Sequence, residues 1–188
     1  RNILLQDIYA GFQDVFDFIF LVQNEEDTSL QYMGMYQGIS NNVMGVDENE
    51  EGFDDTRYVG SAGQLQGVIH FPLASGVCCG PSLHELMHQW GNYSLANGAL
   101  TAYTFDDNVM EATDAMDQLQ AGSHWGVSSV NGQLGGFDAS TLVELGDNWY
   151  SAASFGTFAN GGNSVPYGNF ELYLMGLIPP EEVEDVIL

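Results

Sequence analysis

One short segment of this sequence carries two histidines and a glutamate at a spacing suited to metal chemistry. It reads His84-Glu85-Leu86-Met87-His88. Four residues advance an α-helix by a little more than one turn, so both imidazoles project from one face and can hold one metal ion. Glu85 lies beside them, where its carboxylate can accept a proton from an attacking water. The pattern predicts a zinc site with His84 and His88 as ligands and Glu85 as catalytic base; ordinary surface histidines and a non-catalytic metal site are the alternatives.

A catalytic zinc site needs a third protein ligand and keeps a further position for water or substrate. The sequence has four histidines, and the two outside the motif are His70 and His124. His70 falls in a strand candidate, where packing is the simpler role. His124 follows a predicted helix and is flanked by Gly122 and Gly126, in a turn that can direct it towards the motif. We expect His124 as the third ligand, with Glu171 as the alternative.

The motif requires a helix that packs its other face against a core. Leu83, Leu86, Met87 and Trp90 recur at helical spacing and form an apolar stripe opposite the histidines. Pro81 suits the first turn, and Gly91 is a natural terminator. We therefore predict a helix from about Pro81 to Gly91.

The rest of the chain predicts strands before this helix and a more irregular half after it. Strand candidates are aromatic and β-branched segments, namely Val15–Val22, Tyr32–Ile39 and Leu65–Phe71. A second helix is expected over Val109–Gln120, and residues 126–169 are rich in Gly, Ser and Asn. This order predicts an α+β fold with an N-terminal mixed β-sheet, an active-site helix and an irregular C-terminal half that closes the cleft.

Composition limits the classes of partner. The chain has 188 residues with 26 acidic and two basic residues, so its formal net charge is −24. Such a chain is repelled by phosphate backbones and anionic membranes, which argues against nucleic-acid binding. No apolar run approaches the roughly 20 residues of a membrane span. The hydrophobic share of 45% can build a core, and we expect one domain over residues 1–188.

Two further features concern cations and thiols. The acidic segment 47–55 alternates Asp47, Asn49 and Glu51 before Gly52, which resembles the first half of a calcium loop, although Tyr58 stands where that loop has its glutamate. Bound Ca²⁺ and a solvated acidic turn are both open there. Cys78 and Cys79 are adjacent, and we expect free thiols because a disulfide between neighbours needs a strained ring.

The segment from His84 to Gly91 resembles the active-site helix of the zincin metallopeptidases, and Gly91 is similar to the glycine of the metzincin branch. Ser94 stands where a metzincin has its third ligand, so that ligand has moved or another zincin branch applies. The segment Glu171–Gly176 resembles a Met-turn with Met175 as the methionine below the metal. Together with Ser123–Gly126, these segments look like secreted bacterial metallopeptidases of uncharacterised function.

The resemblance implies a zincin-like fold and a secreted zinc endopeptidase that acts on protein or peptide substrates. It implies a tyrosine hydroxyl that stabilises the oxyanion, for which Tyr173 is the choice and Tyr93 and Tyr167 are alternatives. It also implies that an edge strand, here Leu65–Phe71, pairs with extended substrate. The start at Arg1 suggests a piece of a longer protein, and the oligomeric state is open. The alternatives are a zincin-fold binding or structural module of an extracellular assembly, and a calcium-stabilised carbohydrate- or protein-binding domain.

Overall fold

The computed structural model describes residues 2–23, 33–42, 52–91, 103–106, 109–112, 124–125, 128–147, 149–152 and 162–187. These residues form helices and small β-sheets, which confirms the α+β class. In this part of the chain, no helix combines the length and the apolar character needed to cross a lipid bilayer. The chain divides into two compact units, Arg1–Gln89 and Trp90–Leu188. They are treated separately below, and the single catalytic domain expected for residues 1–188 stays a prediction.

The N-terminal unit alternates short helices with short strands. Its helices are α1 (Asn2–Gly11), α2 (Thr56–Val59), α3 (Ser75–Cys78) and α4 (Ser82–Gly91), the last of which continues past Gln89. Its strands are β1 (Phe18–Val22), β2 (Met35–Gly38), β3 (Ser40–Asn41), β4 (Phe53–Asp54) and β5 (Gly67–Phe71). The three strand candidates from the sequence therefore correspond to β1, β2 and β5.

The main sheet of this unit has the strand order β1-β5-β2 and is mixed, and of these features the sequence predicted the mixed sheet. Strand β5 runs parallel to β1 and antiparallel to β2, so that Ile69 lies between Phe20 and Tyr36. Its apolar residues are buried, which is the pattern of a central strand. The expectation that Leu65–Phe71 is an edge strand for substrate is wrong, because β1 and β2 occupy both of its sides.

Helix α1 covers the core of this unit and was not predicted from the sequence. Leu5 is fully buried and packs with buried residues that include Ile39, Leu65 and Val68. Ile8 and Tyr9 pack against the same cluster, which places Leu5, Ile8 and Tyr9 on one helical face at positions i, i+3 and i+4. The helix is therefore held by burial of this narrow apolar stripe.

The described part of the C-terminal unit contains two hairpins and one α-helix. The hairpins pair β6 (Tyr103–Asp106) with β7 (Val109–Ala112), and β8 (Val143–Gly146) with β9 (Trp149–Ser151). The helix is α5 (Asn169–Leu174), and the 3₁₀ turns are Ala139–Thr141, Gly162–Ser164 and Pro180–Glu182. Among the described residues of this unit, the buried apolar side chains are Trp125, Val130, Leu134 and Phe137.

The predicted helix over Val109–Gln120 is wrong where it can be compared with the structure. Residues Val109–Ala112 form β7, which pairs antiparallel with β6 in a register that places Asp106 opposite Val109. Aromatic and β-branched residues of Tyr103–Asp106 favour a strand, and cross-strand pairing then satisfies the backbone of residues 109–112. Residues 113–120 lie outside the described part.

The turn after α1 is joined to the loop before β5 by the carboxylate of Asp14. Oδ1 of Asp14 accepts a hydrogen bond from the Ser61 hydroxyl at 2.8 Å, and Oδ2 accepts from the N–H groups of Ala62 at 2.6 Å and Gln64 at 3.2 Å. Partial burial raises the pKa of Asp14, but these hydrogen bonds to its charged form outweigh burial, and the pKa is lowered overall. The ionised carboxylate therefore stabilises this loop.

We expect Asp14→Asn to lower the free energy of unfolding at pH 7 by about 1 kcal/mol, because hydrogen bonds to a charged acceptor are lost. Since the pKa of Asp14 is lower in the fold than in the unfolded chain, its contribution is complete above the unfolded pKa near 3.9 and disappears as the pH falls through the folded pKa. Urea unfolding of both proteins between pH 7 and pH 3 measures this. The matched control is Asp7→Asn, which changes an exposed residue of α1. A stability difference of the same size at pH 7 and at pH 3 would contradict the assignment.

Candidate metal centre

Helix α4 carries the motif, and its local sequence explains where it begins. The N–H of Glu85 donates to the carbonyl of Pro81 at 2.8 Å, the hydrogen bond that starts the helix. The hydroxyl of Ser82 donates to the carbonyl of Val77 at 2.8 Å and joins the helix start to the preceding turn. Met87 is fully buried and anchors the apolar face. The helix predicted from about Pro81 to Gly91 is confirmed.

The two histidines of the motif are brought together as the helical spacing predicts. The exposed fractions of His84 and His88 are 5% and 8%. Their Nε2 atoms lie 3.2 Å apart, and the two rings are nearly perpendicular at 86°. Two nitrogen ligands of a tetrahedral zinc ion, each about 2.05 Å from the metal, lie about 3.3 Å apart. The separation therefore fits two ligands of one ion, and it also fits a direct hydrogen bond between two neutral imidazoles.

His124, the predicted third ligand, belongs to the C-terminal unit, whereas His84 and His88 belong to the N-terminal unit. His124 is exposed, and the other two are buried. His70 lies in the central strand β5. A metal site formed by His84, His88 and His124 stays a prediction.

The carboxylate of Glu85 is held against strand β2. Glu85 is 7% exposed, and its Oε2 accepts a hydrogen bond from the N–H of Tyr36 at 2.8 Å. Burial raises the pKa of Glu85 to about 7, and the hydrogen bond from Tyr36 opposes this rise. A Cβ atom at Gly34 would lie 2.7 Å from Cγ and 2.8 Å from Oε1 of Glu85, so the absence of a side chain at Gly34 makes room for the carboxylate.

A second contact between β2 and α4 joins Tyr36 to Gln89, which lies one helical turn after Glu85. Sequence reasoning missed both residues. The hydroxyl of Tyr36 donates to Oε1 of Gln89, whose Nε2 donates to the carbonyl of Ser40 at 3.3 Å. Nδ2 of Asn41 donates to the backbone carbonyl of Gln89 at 2.7 Å. The ring of Tyr36 lies 6.3 Å from that of His88. These contacts join residues far apart in the chain, and no local sequence signal points to them.

Glu171, the alternative third ligand, has another role in the C-terminal unit. It is fully buried, and each of its carboxylate oxygens accepts two hydrogen bonds. Oε1 accepts from the Trp125 indole and the N–H of Leu134, both at 2.8 Å, and Oε2 accepts from the N–H groups of Gln133 at 2.8 Å and Gly168 at 3.0 Å. A carboxylate with four donors is committed to these partners, so Glu171 stabilises the fold of this unit.

The remaining predicted residues lie around α5 or outside the described part. Tyr173 is on α5, 39% exposed, with its ring 6.4 Å from that of Phe170. Tyr167 is half-buried, and burial together with the charge of Glu171 raises its pKa to about 12. Met175 is the C-cap of α5. The oxyanion role of Tyr173 and the Met-turn role of Met175 stay predictions.

Two candidate residues and most of the acidic segment are not covered by the structure. Tyr93, Ser94 and residues 47–51 of the acidic segment lie outside the described residues. At the end of that segment, Oδ1 of Asp54 accepts hydrogen bonds from both the hydroxyl and the N–H of Thr56 and thereby supports the start of α2. Calcium binding by residues 47–55 stays a prediction.

Comparisons of this chain with known proteins find no relative. No family model matches the chain, no curated protein is similar to it, and no solved structure matches its fold. The zincin resemblance therefore rests on the sequence segments named above.

We expect Glu171→Gln to lower the free energy of unfolding by at least about 2 kcal/mol, because the amide nitrogen faces N–H donors and leaves two of them buried and unsatisfied. The matched control is Glu184→Gln, which makes the same change at an exposed residue. Urea unfolding followed by tryptophan fluorescence measures both. Equal stability of the two variants would contradict the structural role of Glu171.

Proposed function

We propose that this protein is a zinc-dependent endopeptidase with His84, His88 and His124 as ligands and Glu85 as catalytic base. The observation that carries the proposal is the convergence of the imidazole Nε2 atoms of His84 and His88, 3.2 Å apart, beside a buried carboxylate on the same helix. In this proposal, His124 supplies the third nitrogen ligand. Three neutral nitrogen ligands form a donor set suited to zinc and leave room for a reacting molecule.

Each residue has a distinct task in this proposal. A zinc ion held by the histidines supplies Lewis-acid chemistry, which polarises a peptide carbonyl and acidifies a water molecule. Since Oε2 of Glu85 accepts from the N–H of Tyr36, Oε1 is the atom that takes the proton from the attacking water. The same carboxyl group then donates that proton to the leaving amine. The contact with Tyr36 and the space at Gly34 hold the carboxylate in place for both transfers.

The fold family, substrate and compartment belong to the same proposal. A zincin-like fold, a protein or peptide substrate and a location outside the cell follow from the resemblance of residues 84–91, 123–126 and 171–176. The competing function is a module that retains the metal without cleaving peptides. Both functions predict metal binding, and they differ in whether peptide bonds are cleaved.

We expect the wild-type protein to bind one equivalent of zinc, and His84→Ala and His88→Ala each to weaken that affinity by more than about 100-fold, beyond the usual cost of losing an outer-shell partner. Isothermal titration with zinc after chelation measures this. His70→Ala is the matched control, because His70 lies in β5 outside the histidine group. His124→Ala tests the third ligand in the same titration.

The zinc titration distinguishes an ion site from a hydrogen-bonded histidine pair. If His84 and His88 are joined only by a hydrogen bond between their rings, the wild-type protein takes up no stoichiometric zinc, and the proposal fails. Equal affinities for the wild type and His124→Ala would remove His124 from the ligand set while leaving the pair in α4.

We expect Glu85→Gln to retain zinc with unchanged stoichiometry and to cleave casein about 10²–10⁴-fold more slowly, because the amide cannot accept the proton from water. Cleavage of fluorescein-labelled casein at pH 7 measures the rate, and metal analysis of the same sample gives zinc content. Glu184→Gln is the control for loss of one charge at an exposed site. Zinc binding without cleavage by the wild type would establish the metal-binding module instead.

A further inference from the structure

Cys78 and Cys79 form an exposed pair of thiols that the proposed hydrolysis does not use. They are the two cysteines of the whole sequence, and both are free and exposed. Cys78 is the last residue of α3, and Cys79 follows as its C-cap. The pair therefore lies in the short connection between β5 and α4, open to solvent.

The two thiols belong to neighbouring residues at the end of α3. Sγ of Cys78 donates to the carbonyl of Ser75 at 3.7 Å, which directs this side chain back along α3. A side-chain hydrogen bond with Cys78, together with the charge of that thiol, raises the pKa of Cys79. Because the two residues are neighbours, with Cα atoms about 3.8 Å apart across a trans peptide, both thiols can reach one ligand.

The backbone of this turn is fixed by neighbouring contacts. The N–H of Cys79 donates to the carbonyl of Ser75 at 3.0 Å, and the hydroxyl of Ser82 holds the carbonyl of Val77 at 2.8 Å. A Cβ atom at Gly80 would lie 2.7 Å from the Cα of Gly76, so the chain folds closely back on itself. A fixed turn lowers the entropy lost when both thiols engage one ligand.

Bond lengths favour a bridging ion over a disulfide for this pair. Residues joined by a trans peptide have Cα atoms about 3.8 Å apart, below the roughly 4.4–6.8 Å of ordinary disulfides, in which the sulfurs are about 2.05 Å apart. A metal ion about 2.3 Å from each sulfur leaves the sulfurs about 3.8 Å apart in tetrahedral geometry. Neighbouring cysteines meet this wider separation with less distortion. Soft thiolate ligands also select soft cations over hard ones.

We propose that Cys78 and Cys79 form a chelating dithiol site for a soft, thiophilic ion, independent of the histidine group. Phenylarsine oxide is a suitable probe, since trivalent arsenic binds thiols. In this reaction both S–H bonds break and two As–S bonds form, while the oxide oxygen leaves as water with the two thiol protons. No atom changes its oxidation state. The large negative charge of the chain adds a general attraction for cationic ligands.

The test uses the whole protein, its Cys78→Ser and Cys79→Ser variants and the thiol-free double variant. Each is treated with phenylarsine oxide, exchanged into excess 2-mercaptoethanol and analysed by intact mass spectrometry. We expect the wild type to retain one phenylarsenic group, which a dithiol such as dithiothreitol removes. Each single variant loses the group to 2-mercaptoethanol, because one As–S bond cannot resist competition from a monothiol. His84→Ala retains the group as the wild type does.

The contribution of the fold is measured by repeating the competition with the wild-type chain in concentrated urea. We expect the folded protein to hold the probe more than about tenfold more tightly than the unfolded chain, because the turn already fixes the backbone that carries both thiols. Equal retention in both states, retention by either single variant, or isolation of the protein with a Cys78–Cys79 disulfide would each overturn the proposal. Loss of the probe on His84→Ala would contradict independence from the histidine group.

Discussion

The scarcity of positive charge determines how this protein accommodates its acidic side chains. With 26 acidic and two basic residues, salt bridges cannot satisfy its carboxylates. Instead, the carboxylates of Asp14, Glu85 and Glu171 accept hydrogen bonds from N–H and O–H groups. A carboxylate withdrawn from water is costly unless such donors surround it. The fold therefore requires the turns and close contacts that present these donors.

Two buried glutamates differ in how many hydrogen-bond donors their carboxylates have. Glu171 has four donors in the C-terminal unit, two on each oxygen, and is committed to structure. Glu85 accepts one hydrogen bond, from Tyr36, and burial raises its pKa to about 7. The number of donors distinguishes a carboxylate whose two oxygens are both held as acceptors from one that is held at Oε2 by the N–H of Tyr36. This contrast could not be inferred from the sequence, where both glutamates were candidates for the metal site.

The sequence pattern correctly predicted the elements that depend on interactions between residues close together in the chain. The motif helix was predicted from periodicity, and strands β1, β2 and β5 from aromatic and β-branched segments. The proximity of His84 and His88 followed from helical spacing. Long-range pairing decided the rest. The central position of β5 depends on two partners from distant segments, and residues 109–112 form a strand because β6 pairs with them. The donors to Glu171 come from four separate positions. Three of them are backbone N–H groups, which cannot be recognised from the type of residue.

Two glycines near the candidate site bear on the resemblance to the metzincins in different ways. Gly91 matches the metzincin glycine, but a Cβ atom there would lie 2.3 Å from Leu134 and 3.0 Å from Trp125. Close packing within the C-terminal unit is therefore sufficient to explain Gly91, and it adds no independent support for the family. Gly34 has no counterpart in the resemblance, yet its missing side chain makes room for the carboxylate of Glu85. The proposed chemistry consequently rests on the histidines and glutamate of α4 and on the strand that holds that glutamate.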